Sequence, residues 1–261
     1  MNYERLEFSI AEGIARIVFA QPASHNAVNR RLTLEFADAA RRCEAAGELR
    51  AVLVTARGES FSVGGDLREF MAERAHIQTH VREMTQNFHA AILTLSRLAA
   101  PLVVAINGTA AGGGFSLVCM ADLAIAKRSA KLNFAYTRSG LTPDGGASWF
   151  LPRLVGAQRA FDLLATNPTL TAEAARDLGI LARVVDDADF EGEVERLVRQ
   201  LAAAPAGALG RLKLMLRAAP TNSLEQQLEL EGRAIAEQAA QPETLAMLEA
   251  FFARSRRQDG A

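Results

Sequence analysis

Lysine and cysteine are both scarce in this chain of 261 residues. Only three of its 29 basic residues are lysines, which leaves few candidates for Schiff-base chemistry or a lysine general base. The two cysteines, Cys43 and Cys119, lie among apolar or alanine-rich neighbours and are too few for a disulfide framework. We therefore expect two buried thiols and a mechanism that does not depend on lysine.

Long apolar runs and strong net charge are missing as well. No stretch reaches the roughly 18 uninterrupted apolar residues of a membrane span, and the acidic residues Glu4 and Glu7 make the N-terminus unlike a secretory signal. A net charge of −1 provides no field that would recruit nucleic acid or an anionic membrane. The sequence therefore predicts a cytoplasmic protein with neither nucleic-acid nor membrane partners.

Two common classes of binding motif are also lacking. The chain contains no Gly-x-x-x-x-Gly-Lys-Ser/Thr loop, and the run Gly112–Gly114 lacks dinucleotide-binding spacing. His76 and His80 have the i, i+4 spacing of a metal-binding pair, but Ile77 stands where a zinc-protease helix needs glutamate. We interpret that pair as part of a solvated helix face and predict no metal site.

The patterns that are present predict an α/β core. Two successive segments share one plan, in which a short apolar strand (51–55, then 102–106) leads into a glycine-rich loop and a helix. We name the two loops the first glycine loop (58–65) and the second glycine loop (108–114). The length fits one large domain or a core domain with a smaller appendage.

Strand-like patterns become rare after Gly156. Residues 182–185 still have an extended pattern, whereas helical patterns dominate from Phe190 onward. We therefore divide the chain into an α/β core over 1–200 and a C-terminal helical part over 201–261. The apolar stripes of these last helices fit either the core or a neighbouring subunit.

Loops rich in glycine after parallel strands have a specific chemical use. Glycine lets the backbone turn sharply and aim N–H groups into a shared cleft, and the Gly113 amide would also lie at a helix N-terminus. Two such donors directed at one oxygen form an oxyanion hole, which stabilises developing negative charge. Tight turns alone would also explain the glycines, so the residues by themselves leave both interpretations open.

A set of separated motifs favours the oxyanion-hole interpretation, because the motifs resemble those of a known family. The chain carries, in order, Asn26-Ala27, Phe61–Leu67 (FSVGGDL), Ile106–Gly114 (INGTAAGGG), Ala121-Asp122 and Gly140–Gly146 (GLTPDGG). In order and spacing these motifs resemble the enoyl-CoA hydratase/isomerase (crotonase) superfamily over essentially the whole chain. The resemblance implies a crotonase-like α/β superhelix of repeated ββα units, a C-terminal helical subdomain used in trimerisation, trimers that pair into hexamers, and an acyl-CoA thioester substrate.

The same resemblance implies roles for individual residues. The backbone N–H groups of Val63 and Gly113 would be the catalytic oxyanion donors. Substrate binding would involve Ala23, His25, Val63, Gly64, Gly65, Asp66, Leu67, Gly112, Gly113, Ser116, Tyr136, Phe251 and Arg254. Asp66 equally fits a plain helix N-cap. Coenzyme A would enter as part of the substrate, so no separate cofactor is expected.

Departures from the hydratase pattern bear on the reaction. At the two positions where hydratases of this family carry glutamates, this chain has Ser116 and Tyr136. A serine hydroxyl is a very weak acid and tyrosine has a pKa of about 10, so the two do not replace a carboxylate pair. Asp144 is the remaining candidate, because a Glu or Asp in this turn serves as acid/base in the family's isomerases. An ordinary Pro-Asp-Gly turn residue is the alternative.

The sequence therefore predicts an enzyme that stabilises a thioester enolate and converts 3-enoyl-CoA into 2-enoyl-CoA, with Asp144 moving the proton. Phe134, Trp149 and Phe150 are the expected pocket walls. Three alternatives remain open: hydration by unusual residues, aromatic-CoA chemistry with Asp144 as nucleophile, and non-catalytic binding of CoA. RNA binding is a further alternative that the charge balance disfavours.

Overall fold

The computed structural model describes residues 2–258, with side chains described as far as Ala253. Its strands are β1 (Leu6–Ala11), β2 (Ile14–Phe19), β3 (Ala51–Ala56), β4 (Ser60–Ser62), β5 (Leu102–Ile106), β6 (Thr109–Ala111), β7 (Leu123–Lys127), β8 (Lys131–Asn133), β9 (Leu170–Thr171) and β10 (Arg183–Val185). Its α-helices are α1 (Arg30–Ala45), α2 (Leu67–Ala72), α3 (Ile77–Arg97), α4 (Gly113–Met120), α5 (Ala147–Val155), α6 (Ala157–Thr166), α7 (Ala172–Asp177), α8 (Phe190–Ala203), α9 (Ala206–Ala218), α10 (Leu224–Ala239) and α11 (Pro242–Gln258). The predicted α/β core followed by helices is confirmed.

The larger sheet forms the centre of the core. Its strand order is β1-β2-β3-β5-β7-β10, with β1 and β2 antiparallel and every later pair parallel. The central strands are short runs of valine, leucine, isoleucine and alanine that are buried on both faces, as parallel strands covered by helices must be. Helices α1 and α3 pack against each other over one face, and α8 covers part of the other.

The smaller sheet accounts for a feature that the sequence patterns did not reveal. Its order is β4-β6-β8-β9, and β4 and β6 lie inside the two segments predicted as the first and second glycine loops. Each of these strands has only three residues, too few to show a periodic pattern. Because β4 and β6 are parallel neighbours, their carboxyl ends meet at one edge, where the candidate site lies.

The C-terminal helices are joined to the core through charged groups. On α9, the mostly buried Lys213 ammonium lies 2.6 Å from Asp122 Oδ2 and donates to the Ala100 carbonyl at 3.0 Å. Helices α10 and α11 leave many leucine, methionine and phenylalanine side chains exposed. The proposed boundary after residue 200 falls within α8 and stays a prediction. No helix in the described part of the chain is long and apolar enough to cross a membrane.

Candidate active site

The two glycine loops meet at the edge of the smaller sheet. Gly64 has φ +84°, a conformation that side-chain-bearing residues rarely adopt. A Cβ at Gly64 would stand 2.9 Å from the Ala111 carbonyl oxygen and 3.2 Å from the Gly113 nitrogen. The backbones of the two loops are therefore in direct contact, and only glycine permits this approach.

The two predicted oxyanion donors differ in their present hydrogen bonding. Gly113 is the first residue of α4, and its N–H has no acceptor among the described residues. The Val63 N–H instead donates to the His25 carbonyl at 3.2 Å, a distance at the long end of the usual range. Both residues line the same cavity, so the Gly113 amide is available to a ligand, whereas the Val63 amide must first exchange its acceptor.

A cavity of about 210 Å³ opens beside these amides. Helices α2 and α3 supply apolar lining, and the segment 134–144 supplies a further part of the lining. The lining side chains from α2 and α3 are Leu67, Phe70, Val81, Met84, Thr85 and Phe88. Of the three aromatic walls expected from the sequence, Phe134 lines this cavity, whereas Trp149 and Phe150 line a separate groove beside α9.

Asp144 is the only carboxylate among the described residues that line the cavity. The Tyr136 hydroxyl lies 2.5 Å from Asp144 Oδ1, and the Ser116 hydroxyl lies 2.9 Å from the Tyr136 oxygen. Burial, reinforced by the negative charge of Asp144, raises the pKa of Tyr136 well above its ordinary value. The phenol is therefore a permanent hydrogen-bond donor to the carboxylate.

His89 also contacts the Asp144 turn, and our sequence reasoning did not identify it. Its Nε2 accepts a hydrogen bond from the Gly145 N–H at 3.1 Å and lies 3.6 Å from Asp144 Oδ2. No motif marks His89 in the sequence, since its position near Asp144 arises only from the packing of α3 beside the turn.

Several residues expected to bind substrate do lie around this cavity, and others do not. Gly65, Leu67, Gly112 and Tyr136 line it together with Val63, Gly113 and Asp144. Ser116 is fully buried behind Tyr136. Gly64 provides the loop contact described above. Ala23 and His25 lie outside the cavity on an exposed segment that reaches the first glycine loop through the His25 carbonyl.

Asp66 and the C-terminal residues take other positions. The Asp66 carboxylate caps α2 by accepting from the Arg68 N–H at 3.0 Å and the Glu69 N–H at 3.3 Å, which is its predicted structural alternative. Phe251 lies exposed on α11 and does not line the cavity of this single chain. The side chain of Arg254 falls outside the described residues, so its predicted contact with CoA stays a prediction.

The chain is similar to known proteins along almost its entire length. Residues 9–257 match a family model described as enoyl-CoA hydratase/isomerase. A 4-chlorobenzoyl coenzyme A dehalogenase from Arthrobacter sp. is 37% identical over 248 residues, which cover 94% of this chain and 90% of that protein. A 1,2-epoxyphenylacetyl-CoA isomerase from Escherichia coli K12 is 32% identical, with 85% of each chain covered.

Solved structures agree with this result. A structure from Mycobacterium abscessus of the same family description is 32% identical and superposes with a TM-score of 0.91, covering 95% of this chain and 96% of the other. An enoyl-CoA hydratase from Mycobacterium smegmatis is 26% identical with a TM-score of 0.88, covering 96% and 97%. The predicted crotonase-like fold is confirmed by these superpositions.

Proposed function

Because the chain belongs to the enoyl-CoA hydratase/isomerase family, whose members act on acyl- and aryl-CoA thioesters, we propose that it is an isomerase that converts 3-enoyl-CoA into 2-enoyl-CoA. The observation that carries this proposal is that Asp144, the one carboxylate among the described residues that line the cavity, shares that cavity with a Gly113 amide that has no acceptor among them. A 1,3 proton shift needs one base that becomes the acid, whereas hydration also needs a group that activates water.

The proposed reaction moves one proton and one double bond. Asp144 removes the proton from C2, and the C2–H electrons extend conjugation into the thioester carbonyl, where the Gly113 amide stabilises the enolate oxygen. The Val63 amide joins as second donor when the thioester oxygen replaces the His25 carbonyl. Protonated Asp144 then returns the proton at C4 as the double bond forms between C2 and C3. No cofactor beyond the CoA of the substrate takes part.

The decisive variant is Asp144→Asn, which keeps the side-chain shape and removes the base. We expect kcat for 3-enoyl-CoA to fall by about 100-fold or more. Asp162→Asn is the matched control, because Asp162 is an exposed carboxylate on α6 away from the cavity. By mass spectrometry, the wild-type product should have the same mass as the substrate, with no water added, because Asp144 returns the proton that it removed. Full turnover by Asp144→Asn, or a hydrated product, would refute the proposal.

A second candidate is nucleophilic aromatic substitution, favoured by the position of His89 beside Asp144 and by the similarity to a chlorobenzoyl-CoA dehalogenase. In that reaction an Asp144 oxygen bonds to the ring carbon, halide leaves with the bonding electrons, and water cleaves the resulting aryl ester. Rapid quenching with 4-chlorobenzoyl-CoA followed by peptide mass spectrometry would reveal an aryl adduct on Asp144. Its absence together with isomerase turnover would favour the proton shift.

We also propose that the protein assembles as a homotrimer or as a hexamer of two trimers. The support is the concentration of exposed large apolar side chains on α10 and α11, since exposed apolar patches mark interaction surfaces. The proposed partners are otherwise limited to the acyl-CoA substrate, with no nucleic acid and no membrane.

A further inference from the structure

Resting on the proposed isomerase function, we propose that Ser116 and Tyr136 are positioning residues that hold Asp144 through a one-directional hydrogen-bond chain. We call this pair the hydroxyl relay. Ser116 contacts Tyr136, and Tyr136 contacts Asp144. Neither hydroxyl is assigned a proton-transfer step to the substrate. Their role is to fix one carboxylate oxygen and leave the other as the base.

The Asp144 carboxylate determines which hydroxyl donates at each step of the relay. An ionised carboxylate can only accept, so the single phenol proton of Tyr136 must point to Asp144 Oδ1, 2.5 Å away. The Tyr136 oxygen is then free to accept, and Ser116 is the donor at 2.9 Å. The alternative acceptor for Ser116, the Gly112 carbonyl, is at 3.4 Å and is the weaker partner.

Burial keeps the relay in this one state. Ser116 is fully buried and Tyr136 is 9% exposed, so water competes little for either hydroxyl. The raised pKa of Tyr136 keeps the phenol protonated at any pH at which the enzyme would work. A hydrogen bond to a charged group in such surroundings is among the stronger ones in proteins.

The relay also changes the electrostatics of the two positions where hydratases carry glutamates. Two carboxylates there would repel the Asp144 carboxylate, whereas the Tyr136 and Ser116 hydroxyls are neutral and Tyr136 donates to it. On the other side, His89 Nε2 is committed to the Gly145 N–H, which fixes the backbone next to Asp144. Asp144 is thus held at Oδ1 by Tyr136, while Oδ2 keeps its lone pairs for the C2 proton.

Tyr136→Phe tests this role directly. We expect kcat to fall about 10- to 100-fold, because the ionised base loses a charge-assisted hydrogen bond, with KM changed less than about threefold. A loss confined to kcat separates this positioning role from a direct substrate contact, whose removal would raise KM. Tyr3→Phe is the matched control: it removes a similar bond, from Tyr3 to Asp38 Oδ2 at 2.9 Å, outside the cavity.

A double-mutant cycle separates a relay from two independent effects. Ser116→Ala should lower kcat by roughly threefold in the wild type and have no further effect in Tyr136→Phe, because Ser116 acts only through Tyr136. Additive losses would overturn the relay. If Tyr136→Phe does not fold, as judged by circular dichroism, kcat is measured in Ser116→Ala alone, and a wild-type kcat there overturns the relay.

Failure of the relay is distinguishable from failure of the proposed function. If Asp144→Asn is inactive while Tyr136→Phe has wild-type kcat, only the relay is wrong. If Asp144→Asn keeps full isomerase turnover, Asp144 is not the base, and both proposals fail together.

Discussion

Gly145, the residue after Asp144, packs closely against Ser116 and Phe88. Its φ of +60° lies in the left-handed region, and a Cβ there would stand 2.9 Å from the Ser116 Cβ and 3.0 Å from the Phe88 Cε1. Its N–H also donates to His89. A side chain at this position therefore meets both backbone strain and close packing, and relief of either moves the neighbouring carboxylate.

Gly145→Ala should therefore reduce both stability and catalysis. Gly140→Ala is the matched control, because Gly140 has a similar φ of +70° but no heavy atom within 4 Å of its would-be Cβ. The control should cost about 1–2 kcal/mol of unfolding free energy from strain alone and keep its kcat. Gly145→Ala should cost more in urea unfolding and lower kcat about tenfold or more. Equal stability losses with unchanged kcat in both variants would contradict this account.

Some features of single residues could be predicted from the sequence and others could not. Asp144 and Gly113 could be located from motifs, because motif spacing fixes their place after particular strands. The bond between the Val63 amide and the His25 carbonyl could not be, since it depends on two successive left-handed residues, His25 at φ +52° and Asn26 at φ +54°. Non-glycine residues rarely adopt this conformation, and the residue types at these two positions do not predict it.

At the level of elements, long periodic segments were predictable and very short ones were not. The helical patterns predicted from Phe190 onward correspond to α8 to α11, and the predicted strand over 102–106 corresponds to β5 at Leu102–Ile106. The four short strands of the smaller sheet carry no pattern of their own, because their pairing is set by the tertiary fold. That sheet brings the two glycine loops together, so the site geometry required the structure.

Helix α9 depends on one buried charge cluster. Asp122 Oδ2 lies 2.6 Å from Lys213 Nζ and accepts from the Leu102 N–H at 2.8 Å, while Oδ1 accepts from Arg217 at 3.1 Å. Burial lowers the pKa of Lys213, and the Asp122 charge opposes that effect. The Asp122 carboxylate thus joins α9 to the first residue of the core strand β5.

Asp122→Asn should destabilise the protein by about 3–5 kcal/mol, because it leaves a buried ammonium without its counter-charge. Equilibrium urea unfolding measures this loss, and limited proteolysis should show faster cleavage near α9. Glu229→Gln is the control, since Glu229 and Arg233 form an exposed pair on α10. That variant should change stability by less than about 0.5 kcal/mol. If the two variants are equally stable, the cluster does not anchor α9.

For the whole molecule, the apolar surface of the last helices is the feature that a single chain leaves unexplained. On α10, Leu224, Leu228 and Ile235 are 69%, 57% and 71% exposed, and their spacing places them along one helix face. In the core helices α1 and α3, by contrast, large apolar residues such as Leu32, Phe36, Phe88 and Leu95 are buried. An apolar stripe of this length in water favours burial against another copy of the chain.

We therefore expect a mass of three times 28.1 kDa, or a multiple of it, by sedimentation equilibrium at micromolar concentration. The double variant Leu228→Glu/Ile235→Glu should shift that mass toward 28.1 kDa, because charges placed in an apolar interface lose their hydration. Ile10→Glu, on the exposed side of β1, is the matched apolar-to-acidic control and should leave the mass unchanged. A monomeric wild type, or a double variant of unchanged mass, would show that this helix face is not the interface.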